Sequence, residues 1–122
     1  MALGPHYDKY DPLSGGFRAP LAAAVAAVDV NKVFACSLDA NGRVVRGTAG
    51  NSGFVGVFVA HRVMAIGEVV DVMTDGEIVD VPALVAGTKY RATAAGALGT
   101  VGTDPIVGWT VEADRLVVRV NP

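Results

Sequence analysis

The stretch "FVGVFVA", Phe54–Ala60, is apolar at every position and has a glycine near its centre. Its seven residues fall far short of the ~20 that a bilayer-spanning helix needs, and so does the other apolar run, "LAAAVAAV" at residues 21–28. Valine's branched Cβ fits a pleated surface better than a helix. The stretch therefore reads as a strand. Because both of its faces are apolar, it is expected to be buried on both sides, within the domain or against a neighbouring subunit. Gly56 inside it marks a bulge, a bend, or a place where another backbone comes close.

A similar phrase, "IVGWTVEA" at Ile106–Ala113, places Gly108 in the same position. The likeness extends upstream. Residues 32–60 and residues 88–113 each open near a lysine, turn at a glycine (Gly42, Gly96), and continue through a short strand. A loop rich in Gly, Thr, Asp and Asn then leads into Val-Gly-x-x-Val-x-Ala. The spacing from Gly42 to Gly56 is 14 and that from Gly96 to Gly108 is 12, a difference of one loop indel. Two such units, each a hairpin plus a third strand, are expected to pack as a small sandwich or barrel.

Outward from these anchors the text remains β-like. "KVFACSL", "RVVRG", "GEVVDVMT", "EIVDV", "TKYRATA" and "RLVVRV" complete a mainly β domain of about eight short strands over residues 21–122. "DANG" at residues 39–42 suits a tight reversal, and Thr74-Asp75-Gly76 reads as a hairpin turn. For residues 21–29 two readings stay open, a short helix with Pro20 at its first position or the entry to a strand. Residues 1–20 contain Gly-Pro, Asp-Pro, Ser-Gly-Gly and Pro20 with no regular period, so they are expected to form an extended N-terminal arm outside the sheet. The arm carries Tyr7, Tyr10 and Phe17, and aromatics are rare in plain linkers. His6, Tyr7, Tyr10, Phe17 and Arg18 are thus the candidate partner contacts, since aromatics and arginine are enriched at interface hot spots.

A chain of 122 residues makes one domain, and a composition 52% hydrophobic and 18% charged supplies a core. A mean hydropathy of +0.43 is high for so small a domain and predicts that other chains cover part of it. A net charge of −2 argues against a nucleic-acid partner. Glu68, Asp71, Asp75, Glu77 and Asp80 lie in a stretch with no Lys or Arg. Its plain reading is a solvated strand face and its sharper one an acidic patch for a basic partner. Cys36 is the only cysteine and sits in an apolar run, as a small buried hydrophobe does. No signal or transit peptide is visible at the start of the sequence.

Motifs for chemistry are missing. His6 and His61 stand apart with no metal-ligand spacing, so no metal and no cofactor is expected. "GNSG" at residues 50–53 is similar to the loop around a chymotrypsin-like nucleophile, but it has Asn51 where that loop has Asp and no group to orient a base. Paired carboxylates among residues 68–80 have no aromatic platform for a sugar. No phosphate loop is present, and neither catalysis nor a small-molecule substrate is expected.

From Asn41 to Val120 the order of phrases resembles the decoration (cement) proteins of tailed-phage capsids. "GRVVRGTAGNSGFVGVFVAHRVMAIGEVVDVMTDGEIVDV", "AGTKYRATAAGAL" and "IVGWTVEADRLVVRV" carry the likeness, through a Gly-x-Val hairpin, a Val-Gly-Val strand, a Gly-Glu-x-Val-x-Val segment and a closing strand pair. Each phrase is ordinary β text; their order and spacing carry the resemblance. It implies a compact β domain on the outer capsid surface, often a homotrimer, that staples the major capsid protein and has no enzymatic activity. It also implies an N-terminal arm that contacts the shell, though no residue of the arm can be matched one by one. Other virion structural roles (tail or head completion) and an oligomeric peptide- or carbohydrate-binding β module are the alternatives.

Overall fold

The valine-rich runs all become strands. The computed structural model describes residues 15–80 and 84–120. Ten strands lie among them: β1 (Gly16–Pro20), β2 (Val33–Leu38), β3 (Val44–Arg46), β4 (Phe54–Val59), β5 (Val69–Met73), β6 (Asp75–Val79), β7 (Lys89–Ala92), β8 (Leu98–Gly99), β9 (Ile106–Glu112) and β10 (Arg115–Arg119). They form two five-stranded sheets, ordered β1-β5-β4-β2-β3 and β6-β10-β9-β7-β8, with every strand pair antiparallel.

The second order is the first with each strand number advanced by five. Residues 32–60 supply β2–β4 and residues 88–113 supply β7–β9, and the shared topology extends to the strands on either side. The correspondence reaches single residues. A β-bulge shifts register after Cys36, which faces Gly56, and another after Tyr90, which faces Gly108. The extra residues are Val55 and Val107, each beside its glycine.

The glycines answer to the neighbouring strand. A Cβ on Gly56 would lie 2.7 Å from the Met73 carbonyl oxygen and 2.7 Å from Val72 Cγ1. On Gly108 it would run into the Val117 carbonyl oxygen and come within 3.1 Å of Val118 Cα. Met73 and Val117 hold equivalent places, opposite Val57 and Trp109. Of the three meanings open to Gly56, the structure shows two together: a bulge, and a close backbone approach beside it.

Two apolar layers hold the sheets. The first core contains Leu21, Val25, Phe34, Cys36, Phe58 and Val72; the second contains Val33, Ala35, Val57 from the first sheet and Tyr90, Leu116, Val118 from the second. Alternate residues of β4 supply both, with Phe58 on one side and Val57 on the other, so "FVGVFV" is covered on both faces. The first sheet curls round the first core. Leu21, just past β1, bridges Val44 in the strand at the far edge, and the Ala22 N–H donates to the Val44 carbonyl at 2.9 Å. The Val25–Met64 bridge caps the same core. The result is a half-barrel with an open second sheet packed on its outer wall.

Three expectations are corrected. Gly16–Pro20 is not part of an arm outside the sheet but edge strand β1, paired residue for residue with β5. Pro20 is tolerated because it ends an edge strand, where a missing donor costs little. Thr74-Asp75-Gly76 is not a hairpin turn: β5 pairs with β1 and β4, β6 pairs with β10, and the chain passes from one sheet to the other at Thr74. Residues 21–29 are neither helix nor regular strand but a loop with two single-residue bridges and a 3-10 turn at Ala27–Asp29. The mainly β domain of short strands stands as expected, with β1 as the strand outside the expected set.

Candidate interaction surface

The proposed partner contacts separate on inspection. Arg18 points outward from β1, and its Nε lies 2.9 Å from Asp71 Oδ1 on β5, both side chains being largely exposed. Phe17 is half-buried and packs against the first core, so it serves the fold. His6, Tyr7 and Tyr10 lie outside the described residues. Gly15, the first described residue, lies at the crossing between the sheets, where its carbonyl accepts from the Thr74 and Asp75 N–H groups.

Four of the five acidic residues of the stretch 68–80 lie beside arginines, three of them distant in sequence. Asp71 meets Arg18, Glu68 meets Arg62 at 2.7 Å, Asp75 meets Arg119 at 3.0 Å, and Glu77 lies 3.7 Å from Arg115. The Arg62 guanidinium, helped by the Ala65 N–H, holds the Glu68 carboxyl below the usual carboxylate range. This is the solvated, paired strand face of the plain reading. Such exposed pairs contribute little to stability.

Residues with chemical potential are engaged in structure. Ser52 Oγ accepts from the Leu38 N–H at 2.8 Å and donates to the Gly53 carbonyl, which ties the "GNSG" loop to β2. His61 Nδ1 lies 3.3 Å from Asn31 Oδ1. Among the described residues no three His, Cys, Asp or Glu side chains are grouped to hold a metal ion. Cys36 is fully buried, and burial pushes its thiol up to about 12. The native thiol is therefore expected to be inert to disulfide reagents at pH 8 and to react only on unfolding. A raised thiol pKa also sets a sign: the stability it contributes is complete below about pH 9 and lost as pH rises towards 12, because the unfolded chain releases the proton first. Denaturant midpoints between pH 8 and 11 should fall more steeply for the parent than for Cys36→Ala.

The surface that stands out is the outer face of the second sheet. Here Glu77 pairs with Val117, Val117 with Trp109, and Trp109 with Lys89, so these four side chains form one row across β6, β10, β9 and β7. Trp109, the only tryptophan, is 42% exposed in the middle of the sheet, and Val111, Ile106 and Val79 are exposed around it. The local sequence marks no site at Trp109. The row became visible only with the strand register, since its members lie between residues 77 and 117.

These features define an all-β protein with internally repeated sheets and an outer face on which Trp109 and exposed valines stand among charged side chains. No protein-family model and no curated protein matches the chain. Among solved structures it is similar to a protein of Mycobacterium phage Patience, with a TM-score of 0.77 at 19% identity over 93% of this chain and 95% of that one. At that identity the likeness establishes a shared fold.

Proposed function

We propose that this chain is a non-enzymatic decoration protein of a tailed-phage head, which binds the outer capsid surface and staples major capsid subunits. The observation that carries this reading is the fold it shares, over nearly the full length of both chains, with a protein of Mycobacterium phage Patience. The order of the β phrases from Asn41 to Val120 supports it from the sequence side.

The mechanism is linkage. A shell packed with DNA pushes its subunits apart, and a protein that binds only the joined subunits stabilises the joined state. Acting as a homotrimer, it presents three N-terminal segments at once. Tethering raises the overall affinity over that of one contact by roughly 10²- to 10⁴-fold. The rigid two-sheet body holds the point from which each segment departs.

The fold sets the boundary for the test. Removing residues 1–20 would strip edge strand β1 from β5 and take away Ala19 from the first core. Deleting residues 1–14 leaves β1 in place. Capsids lacking the protein should be decorated across the whole shell by the parent chain in cryo-EM, and not by the 1–14 deletion, which should keep the parent's circular dichroism. Undiminished decoration by the deletion would remove the arm from the mechanism, and density at a single vertex would replace decoration by a head-completion role.

A further inference from the structure

The internal repeat supplies a reference for the exposed face of the second sheet. Trp109 corresponds to Val57, Val111 to Val59, Ile106 to Phe54 and Val117 to Met73. In the first sheet all four counterparts pack into or against the second core, covered by the second sheet. A face of this design already binds a sheet of the same lineage within the chain. The second sheet has the same face with nothing upon it among the described residues.

The charges on that face have a direction. Acidic side chains stand on β6, Glu77 and Asp75, and basic ones on β7, Lys89 and Arg91; between them β10 carries Val117 flanked by Arg115 and Arg119, and β9 carries Trp109. In the row Glu77-Val117-Trp109-Lys89, a two-fold axis parallel to the strands and passing between β10 and β9 carries Glu77 onto Lys89 and Val117 onto Trp109. One register step away the charges are already engaged, Asp75 by Arg119 at 3.0 Å and Arg91 by the Asp104 carbonyl at 2.8 Å, so Glu77 and Lys89 carry the match. The face is therefore complementary to itself. Lys89 has no ion pair among the described residues, and Glu77 is 3.7 Å from Arg115, beyond hydrogen-bond length.

The geometry points to the outer face of the second sheet as a self-association surface, on which a second copy docks face to face about a two-fold axis parallel to the strands. Valine, tryptophan and isoleucine interdigitate between the sheets as they do in a sandwich core, and Glu77 of each copy faces Lys89 of the other. A head-to-tail stack is blocked, because the inner face of the second sheet already lies on the first and the inner face of the first is closed by its own loops. Five strands at about 4.8 Å spacing and five residues at about 3.4 Å rise make a face of roughly 350 Å² before side-chain relief, so the contact is small and the association is concentration-dependent. The inference is independent of the capsid reading. An isologous contact doubles whatever unit other surfaces build.

The lone tryptophan makes the test direct. In purified full-length protein, its emission is expected to move to shorter wavelength as concentration rises, while sedimentation shows the mass doubling over the same range. Trp109→Asp, checked for folding by circular dichroism, should keep the lower mass and weaken association by about a hundredfold or more. Lys89→Glu and Glu77→Lys each place like charges together twice per pair of copies and should weaken it roughly fivefold to thirtyfold. The double variant should restore it. Emission and mass that ignore concentration would overturn the proposal, as would a Trp109→Asp protein that associates like the parent. A double variant no tighter than the single ones would overturn the two-fold arrangement. An emission shift seen only on adding capsids would assign the face to the shell instead.

Discussion

Gly108→Val is expected to yield no folded protein. The added Cβ falls on the Val117 carbonyl oxygen and within 2.9 Å of the carbon that bears it, and these are backbone atoms with no rotamer to escape into. β10 would have to move away from β9, which opens the sheet at Leu116 and Val118, both fully buried in the second core. Losing that packing costs several kcal/mol, against a total stability of about 5–15 kcal/mol for a domain of this kind. Gly56→Val meets the Met73 carbonyl at 2.7 Å and the movable Val72 side chain, so it should destabilise severely but less completely. Gly42→Ala is the contrast: it has open space and a φ of +76°, and should cost about 1 kcal/mol. Chemical denaturation of the three variants, or their failure to express in soluble form, sets the order. A Gly108→Val protein with the parent's midpoint would refute the account of the paired bulges.

Val57→Asp is expected to be equally drastic for a different reason. Val57 is fully buried at the centre of the second core, between the two sheets. A carboxylate there would lose its hydration in an apolar layer, and even a neutral acid would be left without a partner, at a cost of several kcal/mol. The same change at its repeat counterpart, Trp109→Asp, places the carboxyl on the outer face and should leave the melting temperature nearly unchanged. Two aspartates at equivalent positions, one unfolding the protein and one tolerated, would show that the repeat is symmetric in design and asymmetric in burial. Equal losses at both would mean that Trp109 is needed for folding.

The β text was legible where local pattern decides. The Val-rich runs, the "DANG" reversal with Gly42, the burial of Cys36 and the double-sided burial of "FVGVFVA" follow from residue types and their alternation. Gly56 and Gly108 were legible as matched positions because the phrase around them repeats. What was lost depends on partners far along the chain. Gly16–Pro20 has the Gly and Pro of an irregular segment, and only five pairings with β5 make it a strand. Thr74-Asp75-Gly76 carries hairpin chemistry, yet Val70 and Val72 are already committed to the first core, so β5 and β6 take separate partners. The acidic stretch seemed uncompensated because its arginines lie up to 53 residues away. The outer face was hidden for the same reason, since nothing in "GWT" tells which residues stand beside the tryptophan.

The crossing at Thr74 has a mechanical meaning. Its N–H donates to the carbonyl of Gly15 and its carbonyl accepts from the N–H of Val120, so the first and last described residues are fastened to one residue. Tension between these two points strains only that clasp and leaves both cores unloaded. Tension between Gly15 and the body is taken up differently: the five register pairs of β1 and β5 bear it along the strand axis, and the continuous backbone through Thr74 hands it to β6 and on to β10. A pull at Gly15 is thereby shared between both sheets.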